Sequence, residues 1–215
     1  MAVELKICGI TRLEDARFCA GAGVDYLGFI QYPESPRYVE SRRAKEIIEW
    51  VHGPRSVGVF VNESPDTINR IADETGFDYV QLHGHETPDV CAQIERPVIK
   101  AFRVVHDASA EQLRLLMEPY RDVVSLFLLD TYKTSLWGGT GESFNWRLAR
   151  DLSEEFPLFL AGGINASNVR EAVLTMRPRG IDVSSSVESE PGVKDFDQLT
   201  AFFEAFEQAI SEVAS

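Results

Sequence analysis

KICGIT, residues 6–11, has the pattern of a β-strand that runs into a glycine turn and then a helix. Residues 5–7 form the predicted strand, and Thr11 with Glu14 three residues later has the spacing of a helix capping box. A βα loop of this kind lies at the carboxyl end of its strand, where α/β proteins bind ligands. Cys8 therefore belongs either to a ligand site or, like most free cysteines, to a buried core.

A short apolar strand followed by a helix recurs along the chain, giving eight strand–helix pairs in 215 residues. The predicted strands lie at 5–7, 25–30, 56–61, 78–84, 97–104, 125–130, 157–163 and 181–185. Buried parallel strands are apolar on both faces, and eight such units predict a single α/β domain over residues 1–215, folded as a (β/α)₈ TIM barrel. The alternative is a doubly wound open sheet, which normally has fewer strands and one dominant glycine fingerprint.

Cap and turn residues delimit the predicted helices between these strands. The helices are expected at 12–20, 41–52, 65–76, from Pro88 onward, 108–120, about 145–155, from a cap at Asn165 or Ser167 to Met176, and 196–213.

Composition limits the partners of the chain. With 34 acidic against 21 basic residues, the formal net charge is −13, which argues against a nucleic-acid partner. No apolar run is long enough to span a membrane, and the N-terminus lacks a secretory signal pattern. Three cysteines cannot all pair, so a reducing cytoplasmic location is expected. The sequence leaves open whether the protein is a monomer or a homodimer.

Polar residues and glycines replace aliphatic residues where the predicted strands end. These positions are Cys8, Gly28 to Gln31, Asn62, His83, Arg103, Asp130, Gly162 with Gly163, and Ser184 to Ser186. Because a TIM barrel builds its site from these strand ends, the concentration favours a site role for Cys8. Asp130 follows three apolar residues, so we expect a partly desolvated carboxyl group that suits proton donation.

The two-residue period of a strand places Lys6 and Cys8 on one face and Leu5 and Ile7 on the other. The aliphatic pair should face the helices, so Lys6 should point into the barrel, where a charge needs a partner. Strand eight closes against strand one, and we predict an ion pair between Lys6 and Asp182. The lysine would also help to lower the pKa of the Cys8 thiol.

Two loops indicate a phosphate site. LAGGI (160–164) places two glycines before a helix, and VSSSVE (183–188) offers hydroxyl and amide groups after strand eight. Loops seven and eight are where TIM barrels commonly hold a substrate phosphate. The histidines of QLHGHE (81–86) have the spacing of a zinc pair, but the chain lacks a second cluster of ligands, so no metal site is predicted.

Taken together, these motifs closely resemble the phosphoribosylanthranilate isomerase family of tryptophan biosynthesis. The resemblance rests on KICGIT, SPR (35–37), VGVF (57–60), QLHG (81–84), LLD (128–130), GGTG with FNW (138–146), LAGGI, and DVSS with VE and KD (182–195). It implies an Amadori rearrangement of N-(5-phosphoribosyl)anthranilate without metal or organic cofactor.

The resemblance also assigns roles to residues. By motif, the general base falls on Cys8 and the general acid on Asp130, and Arg37 matches the residue that meets the anthranilate carboxylate. The remaining substrate-binding candidates are His83, Gly139, Gly162, Gly163, Ser184, Ser185 and Ser186, of which the loop-seven glycines and loop-eight serines match the phosphate cradle.

Three positions depart from the family pattern. Ser186 stands where glycine is usual, which would cost stability if that position required a positive φ. Asn145 replaces an aspartate in a predicted N-cap, and Gln31 replaces a hydrophobic residue.

Three other functions stay open. They are an isomerase of a histidine-pathway aminoaldose, a non-catalytic phosphate-binding barrel and a metal-dependent hydrolase. The first normally uses two aspartates, whereas strand one here carries Cys8. The glycine-rich loop after Asp130 could also serve as a lid.

Overall fold

The computed structural model of the protein describes residues 3–104, 108–131 and 146–214. Eight parallel strands form a closed barrel in the order of the sequence, as predicted. They are β1 (Glu4–Cys8), β2 (Tyr26–Ile30), β3 (Arg55–Phe60), β4 (Tyr79–Leu82), β5 (Val98–Arg103), β6 (Leu126–Asp130), β7 (Leu158–Ala161) and β8 (Gly180–Val183). A short antiparallel hairpin, β9 (Glu188–Glu190) and β10 (Val193–Lys194), follows the barrel.

Helices alternate with the strands around the barrel. They are α1 (Leu13–Gly21), α2 (Ser41–Glu49), α3 (Pro65–Thr75), α4 (Pro88–Cys91), α5 (Ala110–Met117), α6 (Trp146–Glu155), α7 (Val169–Met176) and α8 (Phe196–Ala214). Short 3₁₀ turns lie at Glu118–Tyr120 and Ser185–Val187. Within the described residues, no helix is long and apolar enough to cross a membrane.

The alternation of side chains along β1 produces two separate cores, as the strand period predicts. Leu5 and Ile7 pack in the layer between barrel and helices, whereas Cys8 belongs to the core inside the barrel. Lys6 is fully buried on the same face as Cys8. Since β1 pairs with β8 in the register Lys6 to Asp182, the barrel closes with these two side chains side by side.

Some helix ends follow their local sequence signals. Ser64 caps α3 by accepting a hydrogen bond from the Thr67 N–H, with Pro65 as the first helical residue. Gly76 ends the helix with a left-handed φ of 83°, a conformation that glycine adopts without strain. Tertiary contacts do not compete with these exposed signals, so the local sequence decides the boundary.

The predicted capping role of Thr11 is wrong. Helix α1 begins at Leu13 after Arg12, and no side chain caps it. The Thr11 hydroxyl instead donates to the carbonyl oxygen of Gly192 in the hairpin turn. The Thr11 hydroxyl therefore forms a hydrogen bond with the distant hairpin instead of capping the helix, as the local sequence predicts.

Other predicted boundaries shift as well. Helix α7 starts at Val169 after Asn168, because the Asn165 side chain accepts from the N–H and hydroxyl of Ser167 in a turn before the helix. Helix α2 ends at Glu49 rather than residue 52. Helix α4 is a single turn, and the predicted N-cap Asn145 lies outside the described residues.

Candidate active site

A cavity of about 540 Å³ opens at the carboxyl ends of the strands. Its lining includes most of the sequence-predicted site residues: Cys8, Arg37, His83, Arg103, Asp130, Gly162, Gly163, Ser184, Ser185 and Ser186. The closed barrel thus brings together side chains that are dispersed over most of the chain. Gly139 and the predicted lid loop lie outside the described residues.

Cys8 lies above a buried ion pair. The Lys6 ammonium nitrogen is 2.9 Å from Asp182 Oδ1, so the predicted ion pair is present. Burial disfavours the charge on Lys6, but Asp182 and Cys8 together outweigh this effect, so the pKa of Lys6 is raised. The lysine is therefore held as a cation directly below the thiol.

As predicted, the Lys6 charge acts to lower the pKa of the Cys8 thiol, but the net shift of that pKa is upward. Burial raises the pKa of the Cys8 thiol, and the Lys6 charge opposes the shift without overcoming it. Cys8 is only 7% exposed, so desolvation of a thiolate is the larger effect. Gly28 on the next strand leaves room for this arrangement, since a Cβ there would lie 2.8 Å from the Cys8 sulfur.

Asp130 ends β6 at the other side of the cavity, where its side chain is 20% exposed. Its Oδ2 lies 3.3 Å from Nε2 of His83, and Nδ1 of His83 lies 2.9 Å from the side-chain amide of Gln81. Gln81 is almost fully buried on β4. A chain of three polar side chains thus orients the carboxyl group. The sequence signal for Gln81 is its place two residues before His83, on the same face of the strand.

Arg37, the predicted partner of the anthranilate carboxylate, is paired within the protein. Its side chain is 21% exposed and forms an ion pair with Glu188, with Nη2 2.6 Å from Oε2. Glu188 also accepts from the buried Lys194 ammonium at 2.8 Å. Burial tends to raise the pKa of Glu188, but Arg37 and Lys194 outweigh it and keep that pKa below its ordinary value. Glu188 and Lys194 belong to the VE and KD motifs, but their place beyond the last strand end gave no indication that they belong to the site.

Loops seven and eight meet on one side of the cavity. Gly162 and Gly163 have φ values of 86° and 70°, which favour glycine. Helix α7 begins only at Val169, so the expected placement of the glycines at a helix N-terminus is wrong. The loop itself supplies the donors: the N–H groups of Gly163 and Ser185 have no partner among the described residues.

Ser186 is not strained. Among the described residues other than glycine, only Asn62 and Arg177 have a positive φ. The Ser186 hydroxyl donates to the carbonyl oxygen of Ile164 at 2.5 Å and so connects loop eight to loop seven. The serine therefore fits its position without the backbone strain that a positive φ would impose.

A family model and a curated relative both match this chain over nearly its whole length. The family described as PRAI, N-(5'phosphoribosyl)anthranilate (PRA) isomerase, matches residues 5–205. N-(5'-phosphoribosyl)anthranilate isomerase of Trichlorobacter lovleyi is 43% identical over 211 residues, covering 97% of this chain and 100% of that protein.

Solved structures agree. Phosphoribosyl anthranilate isomerase from Thermotoga maritima has a TM-score of 0.85 and 40% identity, covering 96% of this chain and 99% of its own. A phosphoribosyl anthranilate isomerase in complex with reduced 1-(o-carboxyphenylamino)-1-deoxyribulose 5-phosphate has a TM-score of 0.83 and 38% identity, with the same coverage.

Proposed function

This chain belongs to the N-(5'-phosphoribosyl)anthranilate isomerase family, and from that membership we propose the roles that its own residues play in the reaction. The enzyme converts an aminoaldose, N-(5-phosphoribosyl)anthranilate, into an aminoketose by an Amadori rearrangement in tryptophan biosynthesis. The observation that carries the assignment of roles is the presence of Cys8 and Asp130 in one cavity.

Asp130 is the proposed general acid. Opening the furanose requires a proton on the ring oxygen, and Asp130 lies at the cavity wall where it can deliver one. His83 was predicted to bind substrate; its contact with Asp130 Oδ2 supports a role in aiming the carboxyl group at the ring oxygen. Gln81 fixes the histidine ring from its other nitrogen.

Cys8 is the proposed general base. Ring opening gives a Schiff base, which acidifies the hydrogen on C2 of the sugar, and a thiolate can remove that hydrogen as a proton. Burial raises the pKa of Cys8, so the thiolate is a strong base once it forms. The Lys6 ammonium below it favours the thiolate before the proton is taken up, because its charge acts to lower the pKa of the thiol.

The proposed binding mode places the two ends of the substrate on different loops. The phosphate binds the amides of loops seven and eight, with Gly162, Gly163 and Ser184 to Ser186 around it. The anthranilate carboxylate binds Arg37 on loop two. Cys8 ends β1, which lies between β8 and β2 in the barrel, so the sugar carbons pass over its sulfur.

Mutation of the two proton-transfer groups tests this assignment. Each positioned acid or base contributes about 10² to 10⁴-fold, so Cys8→Ala and Asp130→Asn should each lower kcat by that range while KM changes much less. The assay follows consumption of N-(5-phosphoribosyl)anthranilate by its fluorescence. Near-wild-type turnover in either variant would refute its role.

We further propose that residues 1–215 act as one catalytic domain in the cytoplasm, as a monomer or homodimer, without metal or organic cofactor. The cysteines Cys8, Cys19 and Cys91 are all free thiols, which fits a reducing compartment. Unchanged turnover after dialysis against a chelator supports the metal-free reaction, and analytical ultracentrifugation determines the assembly.

A further inference from the structure

Glu188 and Lys194 form a buried cluster with Arg37 that the reaction does not itself require. The Glu188 side chain is 3% exposed and the Lys194 side chain 0% exposed. Two cations therefore share one carboxylate, and the cluster carries a net charge of +1. A site next to such a cluster is suited to a further anion.

Glu188 occupies only one edge of the Arg37 guanidinium. Nε of Arg37 lies 2.9 Å and Nη2 2.6 Å from Oε2 of Glu188, which is the side-on arrangement. The second edge consists of Nη1 and the remaining N–H of Nη2, and Nη1 donates no hydrogen bond within the part of the chain that the structure describes. An edge of this shape binds a carboxylate through two parallel hydrogen bonds.

Lys194 fixes Glu188 in turn. Its ammonium donates to Glu188 Oε1 at 2.8 Å, to the Cys8 carbonyl oxygen at 2.6 Å and to the Ser184 carbonyl oxygen at 3.2 Å. All three of its N–H bonds are therefore used. The carboxylate is thereby anchored to the ends of β1 and β8, both of which belong to the rigid barrel.

Gly9 defines the path of the Arg37 side chain. A Cβ at Gly9 would lie 2.8 Å from Cδ of Arg37, so the arginine stem runs closely over this glycine. The backbone below and the carboxylate beside it leave the guanidinium little freedom to rotate.

We propose that Glu188 and Lys194 are positioning residues that hold the free edge of Arg37 toward the cavity and so make the enzyme selective for an aminoaldose whose aryl group carries a carboxylate. This inference rests on the proposed contact between Arg37 and the anthranilate carboxylate. Neither residue touches substrate; each acts through the arginine. Selectivity would then depend on the orientation of the guanidinium as well as on its charge.

Glu188→Gln tests the proposal, because it keeps the shape of the side chain but removes the charge that orients Arg37. Two ligands are compared by calorimetry: the reduced product, 1-(o-carboxyphenylamino)-1-deoxyribitol 5-phosphate, and the same molecule without its carboxyl group. The Kd of the first should rise about 10-fold or more, since a misaligned bidentate pair loses at least one charge-assisted hydrogen bond. The Kd of the second should stay within about 2-fold of wild type.

Kinetics supply an independent measurement. In Glu188→Gln, KM for N-(5-phosphoribosyl)anthranilate should rise about 10-fold while kcat changes less than about 3-fold. Glu212→Gln is the matched control, since Glu212 pairs with Arg170 in a similar two-bond contact on the surface. That control should change neither constant.

Each remaining outcome has a distinct meaning. Equal loss of affinity for both ligands, or no loss for either, would overturn the positioning role. If Glu188→Gln unfolds, Glu188→Asp, which keeps the charge but draws Arg37 back by one methylene, should show the same selective loss at smaller size. Arg37→Met separates the two proposals: it should weaken binding of the carboxylated ligand and leave the other nearly unchanged, and equal effects on both ligands would mean that the carboxylate contact itself is wrong.

Discussion

Lys6 and Asp182 stand directly opposite each other where the first and last strands of the barrel pair, with 2.9 Å between Nζ and Oδ1. Lys6 has no solvent exposure and Asp182 has 8%. Because each charge depends on the other for compensation, this seam is sensitive to removal of one partner. The ion pair also lies beneath Cys8, so the same two residues contribute to the stability of the barrel and to the environment of the proposed base.

Lys6→Met should lower the free energy of unfolding by about 3–5 kcal/mol, because it leaves Asp182 buried without a partner. The double variant Lys6→Met/Asp182→Leu should lose less than the single one, since both charges are gone. Urea denaturation of wild type, the single variants Lys6→Met and Asp182→Leu, and the double variant measures the difference in free energy of unfolding. A single variant within 1 kcal/mol of wild type would show that the pair is not needed for stability.

The buried thiols predict a loss of stability at high pH. Burial raises the pKa of Cys19 to about 12, from 9.0 for an exposed thiol. Above pH 9 the unfolded chain releases this proton while the native protein retains it, so stability falls as pH rises from 9 toward 12. Cys91, with its pKa raised to about 11, acts in the same direction.

Cys19→Ala isolates this effect. The loss of stability between pH 8 and pH 10 should be about 1.4 kcal/mol smaller in the variant than in wild type. The cost of the smaller side chain is the same at both pH values and cancels. Identical losses in the two proteins would mean that Cys19 ionises as readily in the native state as in the unfolded chain.

Alanine substitutions at the adjacent residues Gly162 and Gly163 should differ in their effect on kcat. A Cβ at Gly162 would lie 2.6 Å from the Thr131 N–H nitrogen and 2.7 Å from Asp130 Oδ1, whereas a Cβ at Gly163 meets nothing within 4 Å. Both positions have a positive φ, so both alanine variants bear similar backbone strain. Gly162→Ala should lower kcat about 100-fold by displacing the acid, and Gly163→Ala much less. Equal effects on kcat would show that strain alone matters.

Ser186→Ala should weaken phosphate binding. It removes the hydrogen bond from the Ser186 hydroxyl to the Ile164 carbonyl oxygen, which connects the two phosphate loops. A hydrogen bond of this kind contributes about 0.5–1.5 kcal/mol, so KM should rise about 2- to 10-fold with kcat unchanged. Ser167→Ala, outside the cavity lining, is a suitable control. An unchanged KM in Ser186→Ala would mean that the connection does not organise the loops.

The sequence predicts the barrel well because its strands are short and largely apolar, as strands buried on both faces require. Side chains along each strand also alternate between its two faces with a period of two residues. The same period predicts that Lys6 points into the barrel, beside Asp182 on the neighbouring strand β8. The strand ends, in turn, locate most of the cavity lining, since parallel strands present their carboxyl ends on one side.

The remaining features depend on contacts that local patterns do not contain. The net rise in the pKa of Cys8 is not predicted, because the sequence shows the neighbouring Lys6 charge but not the depth of burial. The pairing of Arg37 with Glu188 joins residues 151 positions apart through a hairpin beyond the last barrel strand. Thr11 likewise donates its hydroxyl hydrogen bond to Gly192 of the hairpin and does not cap helix α1.

The pairing of β1 with β8, which closes the barrel, also affects how the protein folds during translation. Lys6 leaves the ribosome 176 residues ahead of the aspartate it will pair with. Until translation has passed that point, the side of β1 that pairs with β8 remains an open edge and Lys6 lacks this partner. Contacts so distant in sequence also form slowly. Nascent chains stalled before residue 182 should therefore be the ones that chaperones bind.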